Sequence, residues 1–195
     1  MPPVSYPENI AAILEHNRAF VAAGEGADLV SPKRPGKRVA VLSCMDTRLT
    51  YLLPRALGLD GGDAKLIKVA GATVIEPYGE VMRSLLVAVA ELGVTDIMVV
   101  GHTDCGTCGM QAHHMLDELL AAGLPREQLD AVLATDGSSD RVRIERFLTG
   151  FDELESDVAG TVARIKSHPL MPPTVRVWGF TIDIETGALA PVERP

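Results

Sequence analysis

The chain of 195 residues, 47% hydrophobic and 23% charged, has the size and composition of one ordinary globular domain, with no polar or repetitive tract that would keep it unfolded. Its net charge of -8 at pH 7 works against a phosphate-backbone partner, so no nucleic acid is expected and small-molecule chemistry is the better expectation. The N-terminus lacks the basic opening and apolar core of a signal peptide, and the longest apolar stretch, Leu85 to Ala90, is far short of the roughly 20 residues a bilayer requires; the expectation is a cytoplasmic protein with no membrane contact.

Between Pro7 and Gly24, Ile10, Ile13, Leu14 and Val21 recur near helical spacing, which predicts an amphipathic opening helix. The basic stretch Ser31 to Arg38, with its two prolines and glycine, reads as a connection, and the apolar run Val39-Ala40-Val41-Leu42 reads as a buried strand that leads into Cys44. A short helix from about Thr50 to Leu57 accommodates Pro54 if the proline falls in its first turn, and Gly58 and Gly61-Gly62 then break it. Leu66 to Val69 is a second strand, followed by the Gly71 loop and a helix from about Gly79 to Leu92 that Gly93 ends. A third strand, Asp96 to Val100, stops at Gly101-His102. Residues 110–133 read as helical with an interruption at Gly123-Leu124-Pro125, Asp136-Gly137-Ser138-Ser139 reads as a loop, and the last helix runs from about Asp152 to Ser167. Beyond His168-Pro169, Val175 to Asp183 and Ala188 to Val192 flank Glu185-Thr186-Gly187, a hairpin signal at the sheet edge. Strands alternating with helices imply parallel pairing, because a parallel pair needs a long crossover. The expected fold is a single α/β domain over 1–195: a mostly parallel central sheet flanked by helices, with a C-terminal edge hairpin, an N-terminal helical arm over 1–30 and a catalytic core over 36–195.

Three cysteines in a chain without export signals point to ligands, nucleophiles or core residues rather than disulfides. Cys44 follows the first predicted strand; His102 and Cys105 follow the third. In an open α/β sheet, ligands bind beyond the carboxyl ends of strands whose connections diverge, so these three side chains converge if the two strands are neighbours. Two thiolates and an imidazole suit zinc, and three protein ligands leave a fourth position where the metal lowers the pKa of water from about 15.7 toward 7. In Cys44-Met45-Asp46-Thr47-Arg48 the polar groups fall at every second position, on one side of an extended segment. Arg48 then holds Asp46 as an ionised, oriented acceptor for hydroxide on zinc, which attacks carbon dioxide. Released from Arg48, Asp46 would instead reach the fourth position and close the site. Two other readings stand beside this one. Cys44 taken singly is an ordinary core cysteine, and Cys105-Gly106-Thr107-Cys108 alone reads as a redox pair or half of a structural zinc site. Cys108 is expected to be a packed, partly buried thiol. His16, His113, His114 and His168 are expected at the surface or in packing, with His113 or His114 as the candidate proton carriers.

The segments Cys44-Met45-Asp46-Thr47-Arg48 and Gly101-His102-Thr103-Asp104-Cys105-Gly106 resemble the two zinc-binding signatures of the beta class of carbonic anhydrases, in particular its short bacterial and archaeal branch. The resemblance extends to Lys68-Val69-Ala70-Gly71, Arg83-Ser84-Leu85 and Gly179-Phe180. It implies a zinc lyase interconverting carbon dioxide and bicarbonate, with one zinc per subunit on Cys44, His102 and Cys105 and a catalytic pair of Asp46 and Arg48. A homodimer or homotetramer is implied too, its N-terminal helices embracing the neighbouring subunit. One departure is Val69, where relatives commonly carry Asn; the missing amide bears on loop hydrogen bonding and substrate access. Hydrolysis of carbon disulfide or carbonyl sulfide on the same centre is the alternative within enzymes, and a zinc-binding or thiol-sensing protein without turnover is the alternative outside them.

Overall fold

The computed structural model describes residues 6–134 and 137–192. The chain divides into two compact units, residues 1–33 and 34–195. The first holds α1 (Glu8–Ala23) and a short 3-10 turn, Ala27–Leu29. Glu8 in the first turn of α1 complements the positive end of its dipole, and Gly24, at φ 71°, ends it by donating its N–H to Phe20 and Val21. No residue of α1 is buried, and Ile10, Ile13 and Val21 are exposed.

The second unit runs β1 (Val39–Cys44), α2 (Leu49–Ala56), β2 (Ala64–Val69), a 3-10 turn (Ala70–Ala72), α3 (Glu80–Ala90), β3 (Asp96–His102), α4 (Ala112–Ala121), α5 (Arg126–Ala134), α6 (Gly137–Leu148), α7 (Leu154–Ser167), β4 (Arg176–Ile182) and β5 (Leu189–Pro191). The five strands form one sheet in the order β2-β1-β3-β4-β5. All neighbours are parallel except β4 and β5, which form the expected antiparallel edge hairpin. The expected fold class is therefore the observed one. Because β2 lies on one side of β1 and β3 on the other, the connections leaving β1 and β3 diverge at their carboxyl ends and leave a crevice there.

The β-branched and aliphatic runs of the central strands are buried on both faces. Ala40, Leu42, Ile97 and Val99 pack with Leu85 of α3 and Ile165 of α7, while Val41 and Val100 pack with Leu49 and Leu53 of α2. Helix α7 can lie close on the sheet because glycines face it: a Cβ on Gly101 would stand 2.7 Å from side-chain atoms of both Leu154 and Val158.

Two local expectations are corrected. Pro54 occupies the second turn of α2, not the first. Its missing N–H removes one bond from a helix of eight residues, and the bonding resumes at once, with Leu57 N–H on Leu53 and Leu59 N–H on Pro54. Residues 137–139, expected as loop, open α6, and Asp136 lies outside the described residues. Serine and glycine serve helix N-termini as well as turns, so composition alone does not separate the two. Among the described residues no helix is long and apolar enough to cross a membrane.

Candidate metal centre

Cys44 is the last residue of β1 and His102 the last of β3, and the parallel register Ser43 to Val100 brings both strand ends to the same edge. Cys105 follows in the loop that leaves β3. The ligating atoms of Cys44, His102 and Cys105 lie within 4.8 Å of one another, and all three residues are buried. The two sulfurs are 3.8 Å apart, which is the edge expected for two Zn–S bonds of about 2.3 Å at a tetrahedral angle. His102 sets its own tautomer: Nδ1 lies 2.8 Å from the Thr103 carbonyl oxygen, which can only accept, so Nδ1 carries the proton. Its Nε2 is then left with a lone pair, buried and without a hydrogen-bond partner among the described residues. Buried nitrogens are normally satisfied, and a cation shared with the two sulfurs would satisfy this one. The donor set therefore fits zinc.

Each sulfur also receives donors from the chain. Cys44 is reached by the backbone N–H groups of Asp46 and Gly71, and Cys105 by the backbone N–H of Thr107 and by the Thr107 hydroxyl at 3.1 Å. The hydrogen bond between the sulfurs pushes the Cys44 thiol above the ordinary range, with burial adding to the shift, and holds Cys105 below it, against burial. Burial works to lower the His102 pKa, but the nearby negative Cys105 sulfur and the Thr103 carbonyl on Nδ1 outweigh it and the net shift is upward.

The chain does not stay extended through Asp46 and Arg48 as expected. It turns after Asp46, and Arg48 adopts helical angles (φ -60°, ψ -31°) at the start of α2. The turn itself makes the pair. Asp46 Oδ1 accepts the Arg48 backbone N–H at 2.9 Å and Nε at 3.1 Å, while Oδ2 accepts from the guanidinium at 2.8 Å. These hydrogen bonds from Arg48 hold the Asp46 carboxyl down at about 2. Oδ2 lies 4.0 Å from His102 Nε2, so the structure brings Asp46 beside the three ligating residues.

Two contributors had no role in the sequence reading. Asp104, at φ 52°, accepts from Arg48 through Oδ2 at 2.8 Å and through its carbonyl at 2.9 Å. Lys68 donates to the Asp46 carbonyl at 3.2 Å and to the Thr50 hydroxyl at 3.3 Å. The available signal was an acidic residue enclosed between His102 and Cys105, and a lysine next to the last residue of a strand that leads toward the Gly71 loop.

Val69 is the register partner of Cys44; its carbonyl accepts the Met45 N–H at 2.9 Å and its side chain packs against the larger apolar cluster. Cys108 is exposed, not packed as expected. The segment around it bridges to Phe151 by main-chain hydrogen bonds, which leaves the side chain outside with its thiol 3.6 Å from the Asp152 carbonyl. Cys44, Cys105 and Cys108 are all free thiols. His16, His113 and His114 are exposed, and His168 is buried edge-on to the Tyr78 ring.

Comparison with known proteins adds an independent line. The sequence profile of the family described as carbonic anhydrase matches residues 39–189. A Bacillus subtilis (strain 168) protein, provisionally named carbonic anhydrase YvdA, is 42% identical over 181 residues, covering 93% of this chain and 89% of that protein. A carbon disulfide hydrolase of Acidianus sp. (strain A1-3) is 29% identical over 161 residues, covering 78% of this chain and 76% of that protein. Among solved structures, beta-carbonic anhydrase isoform I (TvaCA1) from Trichomonas vaginalis superposes with a TM-score of 0.80 at 26% identity, covering 96% of this chain and 99% of that one.

Proposed function

The chain belongs to the beta-carbonic anhydrase family, and from that membership we propose that it reversibly hydrates carbon dioxide to bicarbonate and a proton at one zinc ion per subunit, held by Cys44, His102 and Cys105. The observation that carries this reading is the convergence of two sulfurs and an unpartnered imidazole nitrogen within 4.8 Å, with the Asp46 carboxylate 4.0 Å from that nitrogen. Zinc bound there supplies a Lewis acid that makes hydroxide available near neutral pH.

The rest is the work of the chain. Asp46, kept ionised by Arg48, has no proton to give and serves as an acceptor for the attacking water, orienting one oxygen lone pair toward the substrate carbon. Arg48 is fixed by Asp46 and Asp104 together, which restrains it from rotating away and freeing Asp46 to move onto the metal. Lys68 holds the Asp46 peptide through its carbonyl. Two thiolates cancel the formal charge of the dication, so the N–H and O–H donors on the sulfurs matter: they draw charge back from the ligands.

Stopped-flow hydration of carbon dioxide across pH, with zinc measured on the same sample, tests metal and reaction together. About one zinc per chain and a turnover abolished by chelation are expected. Zinc-loaded protein without turnover would favour a binding or sensing role, and metal-free, inert protein would sink the reading. A second reading, hydrolysis of carbon disulfide or carbonyl sulfide, draws on the Acidianus relative; parallel assays with all three linear substrates decide between them. For assembly we propose a homodimer or homotetramer, in which another subunit covers the groove of about 390 Å3 along α3 formed by Tyr78, Met82, Leu86 and Val87.

A further inference from the structure

Asp157, in the first half of α7, is a partly buried acidic side chain that the proposed reaction leaves unused. It is half-buried, and burial raises its pKa against the opposing influence of the Thr73 hydroxyl and the Arg164 charge. A carboxylate placed only to complement a helix N-terminus would face water, as the neighbouring Glu155 does. Asp157 instead turns inward, lines a cavity of about 90 Å3 with Gly71, Thr107 and Phe151, and takes the Thr73 hydroxyl at 2.7 Å. Taking a carboxylate out of water costs stability, so its position calls for a reason.

The reason lies in the turn at Ala70–Ala72. Gly71 stands at φ 68°, ψ 0°, and Ala72 has φ 59°, a left-handed conformation that costs a residue with a Cβ about 1 kcal/mol or more. Such a conformation persists only where its surroundings over-determine it. Thr73 supplies that restraint: its one hydroxyl proton goes to Asp157 at 2.7 Å, which ties the residue that ends the turn to α7, and the same oxygen lies 3.3 Å from the Gly71 carbonyl. The other side of Gly71 matters to the metal centre, because its N–H, in the preceding peptide, is one of the two backbone donors to the Cys44 sulfur. No side chain fits between, since a Cβ on Gly71 would meet the Thr107 hydroxyl at 2.8 Å and that of Thr73 at 3.2 Å.

We propose that Asp157 is a positioning residue for the metal centre: acting through Thr73, it holds the strained Ala70–Ala72 turn so that the Gly71 N–H stays on the Cys44 sulfur. A sulfur that keeps this donor gives less charge to the metal. The inference rests on Cys44 being a metal ligand.

Cobalt(II)-substituted protein provides a readout separate from turnover, the sulfur-to-cobalt charge-transfer band, and competition with a chelator gives the zinc affinity. Asp157→Ala and Thr73→Val are expected to move the band to longer wavelength and to weaken zinc binding about 10- to 100-fold. Asp157→Asn, which keeps an acceptor for Thr73, and Thr73→Ser, which keeps the hydroxyl, are expected to behave as the parent. Circular dichroism confirms that each variant is folded; Thr73→Val, which trades one hydroxyl for a methyl, carries the test if Asp157→Ala does not fold. Unshifted bands in the folded Ala and Val variants overturn the proposal, as do Asn and Ser variants that shift equally. A parent protein without a sulfur-to-cobalt band removes Cys44 as a ligand and the proposal with it, whereas a normal band in protein inert toward carbon dioxide leaves the positioning role standing and refutes the reaction alone.

Discussion

In the proposed reaction Asp46 meets two demands at once: it must stay charged, and it must point one oxygen at the reacting centre. Arg48 supplies both through three hydrogen bonds within a single turn of chain. Replacing Asp46 by Asn should leave the zinc content unchanged and lower turnover at least about 100-fold, since an amide can neither be paired in the same way nor accept equally well. The pH behaviour follows from the depressed pKa. With the carboxyl at about 2 rather than 3.8, the contribution of the pair to stability is complete above the higher value and is lost as pH falls through the lower one. The Asp46 carboxyl carbon should therefore show no chemical-shift change in NMR from about pH 8 down to about pH 4.5, and any near-neutral limb in the activity profile belongs to another group. Asp104 acts one step further out. Asp104→Ala should retain zinc and reduce kcat about tenfold by releasing one side of Arg48, because small misplacements of a positioned group are costly in rate; kcat equal to that of the parent would assign Arg48 to Asp46 alone.

Among the elements, α7 is the one whose seat was written most plainly into the strands beneath it. Gly179 on β4 pairs with Val99 and Gly101 on β3 with Thr181, two register positions further on, and a Cβ on either glycine would run into Val158. Gly101→Val should destabilise the protein by about 3 kcal/mol and lower Tm by roughly 6 to 12 °C, measured by thermal unfolding. The same substitution should loosen zinc, since His102 is the next residue and leaves the strand at that point. Elements defined by long hydrophobic periodicity, such as β1, α3 and β3, were legible to within a residue or two. Elements defined by polar segments were less so: the start of α6 reads as a turn, and Cys44 to Arg48 reads as extended although it folds back through a turn. In both cases the local residues are compatible with two backbone conformations, and hydrogen bonds made elsewhere choose one.

For the whole molecule, the division at residue 33 separates a helix without buried residues from a unit that carries both apolar clusters and the candidate metal centre. A chain truncated to 34–195 should keep its circular dichroism and bind zinc, while sedimentation shows a smaller assembly than that of the full chain; unchanged sedimentation would place the subunit contacts elsewhere. By itself the sequence determined the α/β class, the mostly parallel sheet and the two short groups, Cys44 with Asp46 and Arg48 and His102 with Cys105, because strand periodicity and short spacings are local patterns that survive without coordinates; that the two groups meet depends on β1 and β3 being neighbours in the sheet. Only the tertiary structure decided that Asp104 shares Arg48 across 56 positions, that Thr73 meets Asp157 across 84, and that Cys108 faces outward. Those contacts depend on how the turns at the strand ends aim single side chains, and that aim is set by packing and hydrogen bonding between distant segments.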